Sequence, residues 1–182
     1  MPDSNRFAVH PWKIIETEFD PDNFRHTEAV MALANGYMGQ RASLVEGPQH
    51  LESLPGNYVA GVFDSYPNPT MIPLKGRPQN PSEMVNLPDH LPVRIRIGEE
   101  RVDPTLCDIE QYERTLHMDR GVLTREMTCE TPGGRRFRLR TVRFLSLRRR
   151  HIAATRIELT PVNFCERMSY ESLVDGTVSN VR

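Results

Sequence analysis

The sequence predicts an all-β (mainly β) fold, an antiparallel β-sandwich, and three observations carry that expectation. Apolar and polar residues alternate in successive runs after residue 90. The turn signals "GEE", "DRG" and "TPGG" separate those runs at short intervals, as in a meander of antiparallel strands. Pro (15) outnumbers Gly (11), and proline interrupts helices and central strands, which favours many short elements.

The runs justify themselves in order. "VRIRI" at Val93–Ile97 sets Val93, Ile95 and Ile97 on one face and Arg94 and Arg96 on the other. "GEE" turns the chain into Arg101 and Val102. In "YERTLHM" (112–118), Tyr112, Leu116 and Met118 share a face. In "VLTREMTCE", Leu123, Met127 and Cys129 do. "RRFRLRTVRFLSL" moves its apolar phase from Phe137 and Leu139 to Val142 and Phe144, which predicts a β-bulge inside the strand. "HIAATRIEL" adds a strand with Ile157 and Leu159 inward. The segment 64–92 holds seven prolines, from Pro67 to Pro92, and reads as a stiff excursion over the surface.

The densest pattern is "TEAVMALANGYMGQRAS", at 27–43. Its propensities leave two readings open. "EAVMALA" is good helix material, with Gly36 just past a helix end. Asn35-Gly36 is also the strongest two-residue hairpin signal, a type I′ turn with Leu33 facing Met38 and Ala32 facing Gly39.

Bulk properties bound the function. The 182 residues suffice for one domain with a core or a cramped pair. Hydrophobic residues make up 38% and charged residues 26%, with net charge -1, so no global field steers the chain to nucleic acid or membrane. No apolar run approaches the roughly 20 residues of a membrane helix, and "MPDSNRFAVHPWK" lacks a secretory h-region. Cys107, Cys129 and Cys165 are odd in number and widely spaced. They read as free, buried thiols of a cytoplasmic protein.

Few residues carry a signal for chemistry. The six histidines (His10, His26, His50, His90, His117 and His151) show no ligand spacing, so no metal site is expected. His117 reads as solvated. "NGYMG" lacks the Lys-Ser/Thr of a phosphate loop. Glu16, Glu18 and Asp20 read as exposed strand residues. Glu46, following Arg41 in a tight segment, is the best single candidate for a placed acid, with a salt bridge or turn contact the simpler role. Arg135, Arg136, Arg138, Arg140, Arg143, Arg148, Arg149 and Arg150 crowd 135–150. Nucleic-acid binding through them is one alternative. Their alternation with Phe137 and Leu139 favours the wet face of a strand, and contact with an acidic protein surface. Trp12, the only tryptophan, reads as an anchor packed on the core, with a sugar-stacking platform as the rival. No catalytic, cofactor-binding or metal residue is assigned.

"PWKIIETEFDP" followed by "EAVMALANGYMGQRASLVEG" resembles the start of glycoside hydrolase family 65. The likeness continues through "PGNYVAGVFD", "LPVRIRIGEERVD", "RTLHMDRGVLTREM", "RFLSLRRRHIAATRIELTP" and "ESLVDG". It runs in colinear order from Trp12 to Arg182. Departures are local: Ala34-Asn35-Gly36 stands where Gly-Asn-Gly is common, Arg41-Ala42 where Arg-Gly is, and "LVEG" where "EEG" is. The resemblance implies a family of maltose, trehalose, kojibiose and nigerose phosphorylases with some hydrolases, acting on α-linked glucose disaccharides. It implies an N-terminal β-sandwich, with catalysis in a later (α/α)₆ barrel that supplies a Glu general acid and the site for inorganic phosphate as co-substrate. On that basis residues 1–182 are expected to be part of a single non-catalytic domain, inactive alone. Its expected partners are its own barrel and, through an open sheet edge near Leu173 and Val178, further copies of itself as a homo-oligomer. A free-standing carbohydrate-binding module is the other alternative. The resemblance also favours strands around Asn35-Gly36, hence the hairpin.

Overall fold

A computed structural model describes residues 7–65 and 82–180. In chain order its elements are strands β1 (Phe7–His10) and β2 (Lys13–Glu16), helix α1 (Phe24–Val30), β3 (Leu33–Ala34), β4 (Met38–Gln40), β5 (Asn57–Val59), β6 (Phe63–Ser65), β7 (Ser82–Met84), β8 (Val93–Ile97), β9 (Glu100–Arg101), β10 (Asp108–His117), β11 (Val122–Glu130), β12 (Arg136–Leu145), β13 (Ala153–Pro161) and β14 (Met168–Ser172). The main sheet has six antiparallel strands in the order β1-β2-β10-β11-β12-β13. Its later strands form a meander, and β2 enters it by pairing with β10, Glu16 opposite Arg114. A three-stranded sheet, β14-β8-β9, makes the second layer.

Period-two alternation decides which side chains face the second layer. Ile95 and Ile97 of β8 and Val102 pack on Met127, Cys129, Phe137 and Leu139 of the main sheet. A separate cluster joins Met31, Leu33 and Ala42 to Leu116, Leu123 and Leu145. The helix contributes to the core at helical spacing: Phe24, Thr27, Glu28 and Met31 are all buried. The all-β sandwich is therefore present, with one short helix and the segment 41–47 covering the end of the main sheet that the small sheet leaves open.

The expected bulge in β12 does not exist. Its register with both β11 and β13 is continuous, and Phe137, Leu139, Thr141, Arg143 and Leu145 all point inward. The apolar phase shifts because Thr141 and Arg143 occupy core positions, while Phe144 lies on the outer face, 40% exposed. The bulge lies in β10, between Ile109 and Gln111.

Both readings of the densest pattern hold in part. The helix runs to Val30, and a hairpin follows. Its register differs from the type I′ expectation: Leu33 pairs with Gln40 and Ala34 with Gly39. The turn is therefore Asn35-Gly36-Tyr37-Met38, closed by the Asn35 N–H donating to the Met38 carbonyl at 3.1 Å. Only Gly36, at φ 80°, is left-handed there. Asn35 instead spends its side chain on the turn, accepting from the Tyr37 and Met38 N–H groups at 3.0 and 2.7 Å. Gly36→Val is expected to cost about 1–3 kcal/mol in urea unfolding, because a β-branched residue is strained at positive φ. Gly39→Ala, on ordinary backbone with open space around its Cβ, is the control and should stay within about 0.5 kcal/mol.

Other expectations change. Trp12 is no anchor: it sits in the β1–β2 turn and is 62% exposed. Glu16 is buried in β2, because its strand position faces the helix; Glu18 and Asp20 lie beyond the strand, and Asp20 braces the turn before the helix by accepting from the Asp22 and Asn23 N–H groups. Met118 falls past the end of β10 and is exposed. Of the thiols only Cys129 is buried; Cys107 is half-buried and Cys165 exposed, both in connections between strands. At the base of the Pro-rich excursion β6 pairs with β7; Pro67, Pro69, Pro73, Pro78 and Pro81 lie outside the described residues. Leu173 and Val178 are half-buried, and the Leu173 N–H donates to the Pro92 carbonyl at 2.9 Å.

Candidate functional site

Residues 42–46, which run on from the end of the densest pattern, are a buried coil. A coil has no ladder, so each of its peptide groups needs another partner once water is gone. The chain supplies several of them. The Ala42 N–H donates to the Glu28 carbonyl at 2.9 Å, and the Arg41 N–H to the Gly56 carbonyl at 2.8 Å. The Leu44 and Val45 carbonyls accept from the Gly47 and Val93 N–H groups at 3.3 and 2.6 Å. The Ala42 carbonyl accepts from Arg114, and the Ser43 carbonyl from Arg143 at 2.9 Å. Arg101 donates to the Glu46 carbonyl at 3.3 Å and also to that of Gly47.

Arg114, Arg125 and Arg143 come from the inner faces of β10, β11 and β12 and are 1%, 3% and 5% exposed. They form a polar belt between the two apolar clusters. Arg125 lies opposite Arg114 on one side and Thr141 on the other, and Arg143 lies opposite Leu123. A guanidinium suits this place because its fork of donors reaches several carbonyls at once.

Buried carboxylates answer the belt. Glu46 ion-pairs with Arg125. Glu16 accepts from the Thr27 hydroxyl at 3.0 Å and the Tyr112 hydroxyl at 3.4 Å. Glu28 accepts from Ser53 and from the Leu54 N–H at 2.8 Å, with Arg41 at 3.8 Å. Electrostatics follow this layout. Burial works against the Arg125 charge, yet Glu46 more than offsets it and its pKa lies above the ordinary value. Burial, joined by Arg125, lowers Arg114. Burial, with both neighbouring guanidiniums, lowers Arg143 to about 9. Burial raises Tyr112 to about 12.

Around this belt the hairpin is tied down at both ends. Asn35 donates to the Ser146 and Arg150 carbonyls at 2.9 Å each, and the Arg150 guanidinium lies 5.9 Å from the Tyr37 ring centre. At the other end Gln40 donates to Asn57 at 2.9 Å, and Asn57 donates to Asp89 at 3.0 Å.

Glu46 is thus a structural ion-pair partner, the simpler of the two roles expected of it. His117 is half-buried, with Nε2 3.1 Å from the Thr124 hydroxyl, rather than fully solvated. The arginines of 135–150 divide. Arg143 is buried. Arg135, Arg136 and Arg140 sit at the surface, where Arg135 pairs with Glu100 and Glu166, Arg136 with Glu110, and Arg140 with Glu126 and Glu158. Those pairs offset the charge of Arg135, Arg136 and Arg140, while Arg138, Arg148, Arg149 and Arg150 are exposed. Arg114 and Arg125 are core residues that sequence alone leaves unassigned. Their signal was present: each stands in phase with apolar neighbours, Arg114 with Tyr112 and Leu116, Arg125 with Leu123 and Met127.

Comparison with known proteins gives one consistent picture. Residues 14–182 match the glycosyl hydrolase family 65, N-terminal domain. The kojibiose phosphorylase of Halothermothrix orenii is 34% identical over 169 residues, covering 93% of this chain and 20% of its own length. The alpha,alpha-trehalose phosphorylase of Thermoanaerobacter brockii is 30% identical over 187 residues, covering 100% of this chain and 24% of its own. A solved human-microbiome chain, provisionally named a kojibiose phosphorylase, superposes with a TM-score of 0.76 at 23% identity, covering 86% of this chain and 20% of that one. This chain therefore spans about a fifth to a quarter of the length of the relatives it matches.

Proposed function

Because this chain belongs to glycosyl hydrolase family 65, matching its N-terminal domain over residues 14–182, we propose that it is the non-catalytic β-sandwich of a disaccharide phosphorylase acting on an α-linked glucose disaccharide. The observation that carries this reading is the use of the coil 42–46 that follows its densest motif: it serves internal bonds, and the buried acids Glu16, Glu28 and Glu46 hold the fold together. The acid that protonates the leaving sugar, and the groups that hold inorganic phosphate, then belong to the remaining four-fifths that relatives possess. In this reading the sandwich packs on that catalytic barrel and shapes access to it. The outer edge of β13 and the exposed Leu147, Val162, Tyr170 and Val174 are the surface available for this packing or for contact between copies.

The test is a chimera in which residues 14–182 replace the matching stretch of the Halothermothrix orenii kojibiose phosphorylase. Release of glucose 1-phosphate from kojibiose and phosphate is expected to survive. A folded chimera without turnover overturns the assignment. One observation favours a second reading, carbohydrate binding by the sandwich itself: Trp12 is exposed at a hairpin tip. Quenching of its fluorescence during titration with the same disaccharides would support that reading.

A further inference from the structure

Two of the three cysteines meet on the inner face of the main sheet. Cys129 lies in β11 opposite Ile109, and Cys107 stands two residues before Ile109, just ahead of β10. Residues two apart share a face of an extended chain, so Cys107 is diagonal to Cys129 across the β10–β11 pair, a separation that side chains span. Cys129 belongs to the larger apolar cluster, and Cys107 packs against it. The two thiols interact directly. The Cys129 thiol holds Cys107 below the ordinary thiol pKa, helped by the Asp103 N–H and opposed by burial and by the carboxylates of Asp103 and Glu100. The same contact, joined by burial, raises Cys129.

Their access to solvent differs. Cys129 is 0% exposed. Cys107 is half-buried and lines an open surface pocket of about 370 Å³ with Glu18, Phe19, Pro104 and Tyr112. A reachable, readily ionised thiol beside a sheltered one is the arrangement of an attacking and a resolving cysteine.

We propose that Cys107 and Cys129 are an oxidisable dithiol, closed to a disulfide by hydrogen peroxide that enters through the pocket at Cys107. The Cys107 thiolate attacks one peroxide oxygen. The O–O bond breaks, leaving Cys107 sulfenic acid and a hydroxide that takes up a proton as water. The Cys129 sulfur then attacks the Cys107 sulfur. The S–O bond breaks, and the hydroxide departs with the Cys129 proton as a second water. The two sulfurs lose two electrons, which the peroxide gains. The new bond needs the sulfurs at about 2 Å, and Cys107 stands outside the ladder, where the backbone can give. The disulfide clasps the connection between β9 and β10 to β11. That connection carries Val102 into the core, and its Asp103 accepts from the Gln49 N–H at 3.0 Å.

The test uses the full chain with the exposed Cys165 replaced, Cys165→Ser, so that only this pair can react. The folded chain is treated with a small excess of hydrogen peroxide, unfolded, alkylated and mapped by mass spectrometry. A linked pair of peptides carrying Cys107 and Cys129 is expected, lighter by two hydrogens than the separate thiols and split again by dithiothreitol. Adding Cys129→Ser should halt the reaction at Cys107 sulfenic acid, which the reagent dimedone captures at least about tenfold more than in the chain that keeps both thiols. Absence of the linked pair overturns the proposal. So does Cys107 carried on to sulfinic acid beside a free Cys129, or a link that forms equally fast in chain unfolded by urea. A folded Cys129→Ser chain that yields no dimedone adduct at Cys107 overturns it as well. The linked pair is read on the chain with both thiols, so the result stands even if Cys129→Ser fails to fold.

Discussion

Arg125→Ala is expected to destabilise the chain by about 3–5 kcal/mol, a large share of the roughly 5–15 kcal/mol typical of a domain. The reason is what it leaves behind. Glu46 is 1% exposed and would be left buried with its ion-pair partner gone. Glu46→Ala should cost a similar amount by stranding Arg125. Replacing both at once, Arg125→Met with Glu46→Leu, should recover most of the loss, since exchanging a buried ion pair for apolar packing is often neutral. Urea unfolding of the two alanine variants and of their combination, Arg125→Ala with Glu46→Ala, forms a double-mutant cycle with a coupling of about 2 kcal/mol or more. Single variants within about 1 kcal/mol of the parent would mean that the pair is not buried, and that 42–46 does not lie against the sheet.

Phe137→Ala and Phe144→Ala should differ sharply although both lie on β12. Phe137 is 0% exposed in the larger apolar cluster, and its truncation is expected to cost about 3–5 kcal/mol. Phe144 is 40% exposed on the outer face, and its truncation should cost about 1 kcal/mol or less. The contrast tests the register of the strand itself. With a bulge between them both rings would face the core, and the two costs would match. Chemical denaturation midpoints at equal slope decide between the two outcomes.

Those two pairs also show where the sequence is legible. The strands after residue 90, their turns and most inward faces follow from alternation alone, because one wet face and one dry face leave a period-two record. The record breaks where the core is polar. Arg143 and Thr141 interrupt the apolar phase of β12, so an unbroken strand reads as bulged. Arg114 and Arg125 stand in phase with apolar neighbours, but local pattern carries no information about the buried coil they bind. That coil, 42–46, comes from a distant part of the chain, and its need for donors appears only once it is seen against the sheet. Glu16 misleads for the same reason, since its partners Thr27 and Tyr112 lie 11 and 96 positions away. The turn at Asn35 is a smaller failure of the same kind. The dipeptide signals a hairpin correctly, but Asn35 bonds the backbone through its side chain, which moves the turn by one residue.

The proposal that this chain carries scaffold rather than chemistry is tested most directly by an activity assay. The purified chain is incubated separately with trehalose, maltose, kojibiose and nigerose in the presence of inorganic phosphate, and glucose 1-phosphate is measured. No release above a protein-free blank is expected for any of the four sugars. Turnover that rises in proportion to the purified chain would contradict the proposal and place the acid and the phosphate site within these 182 residues.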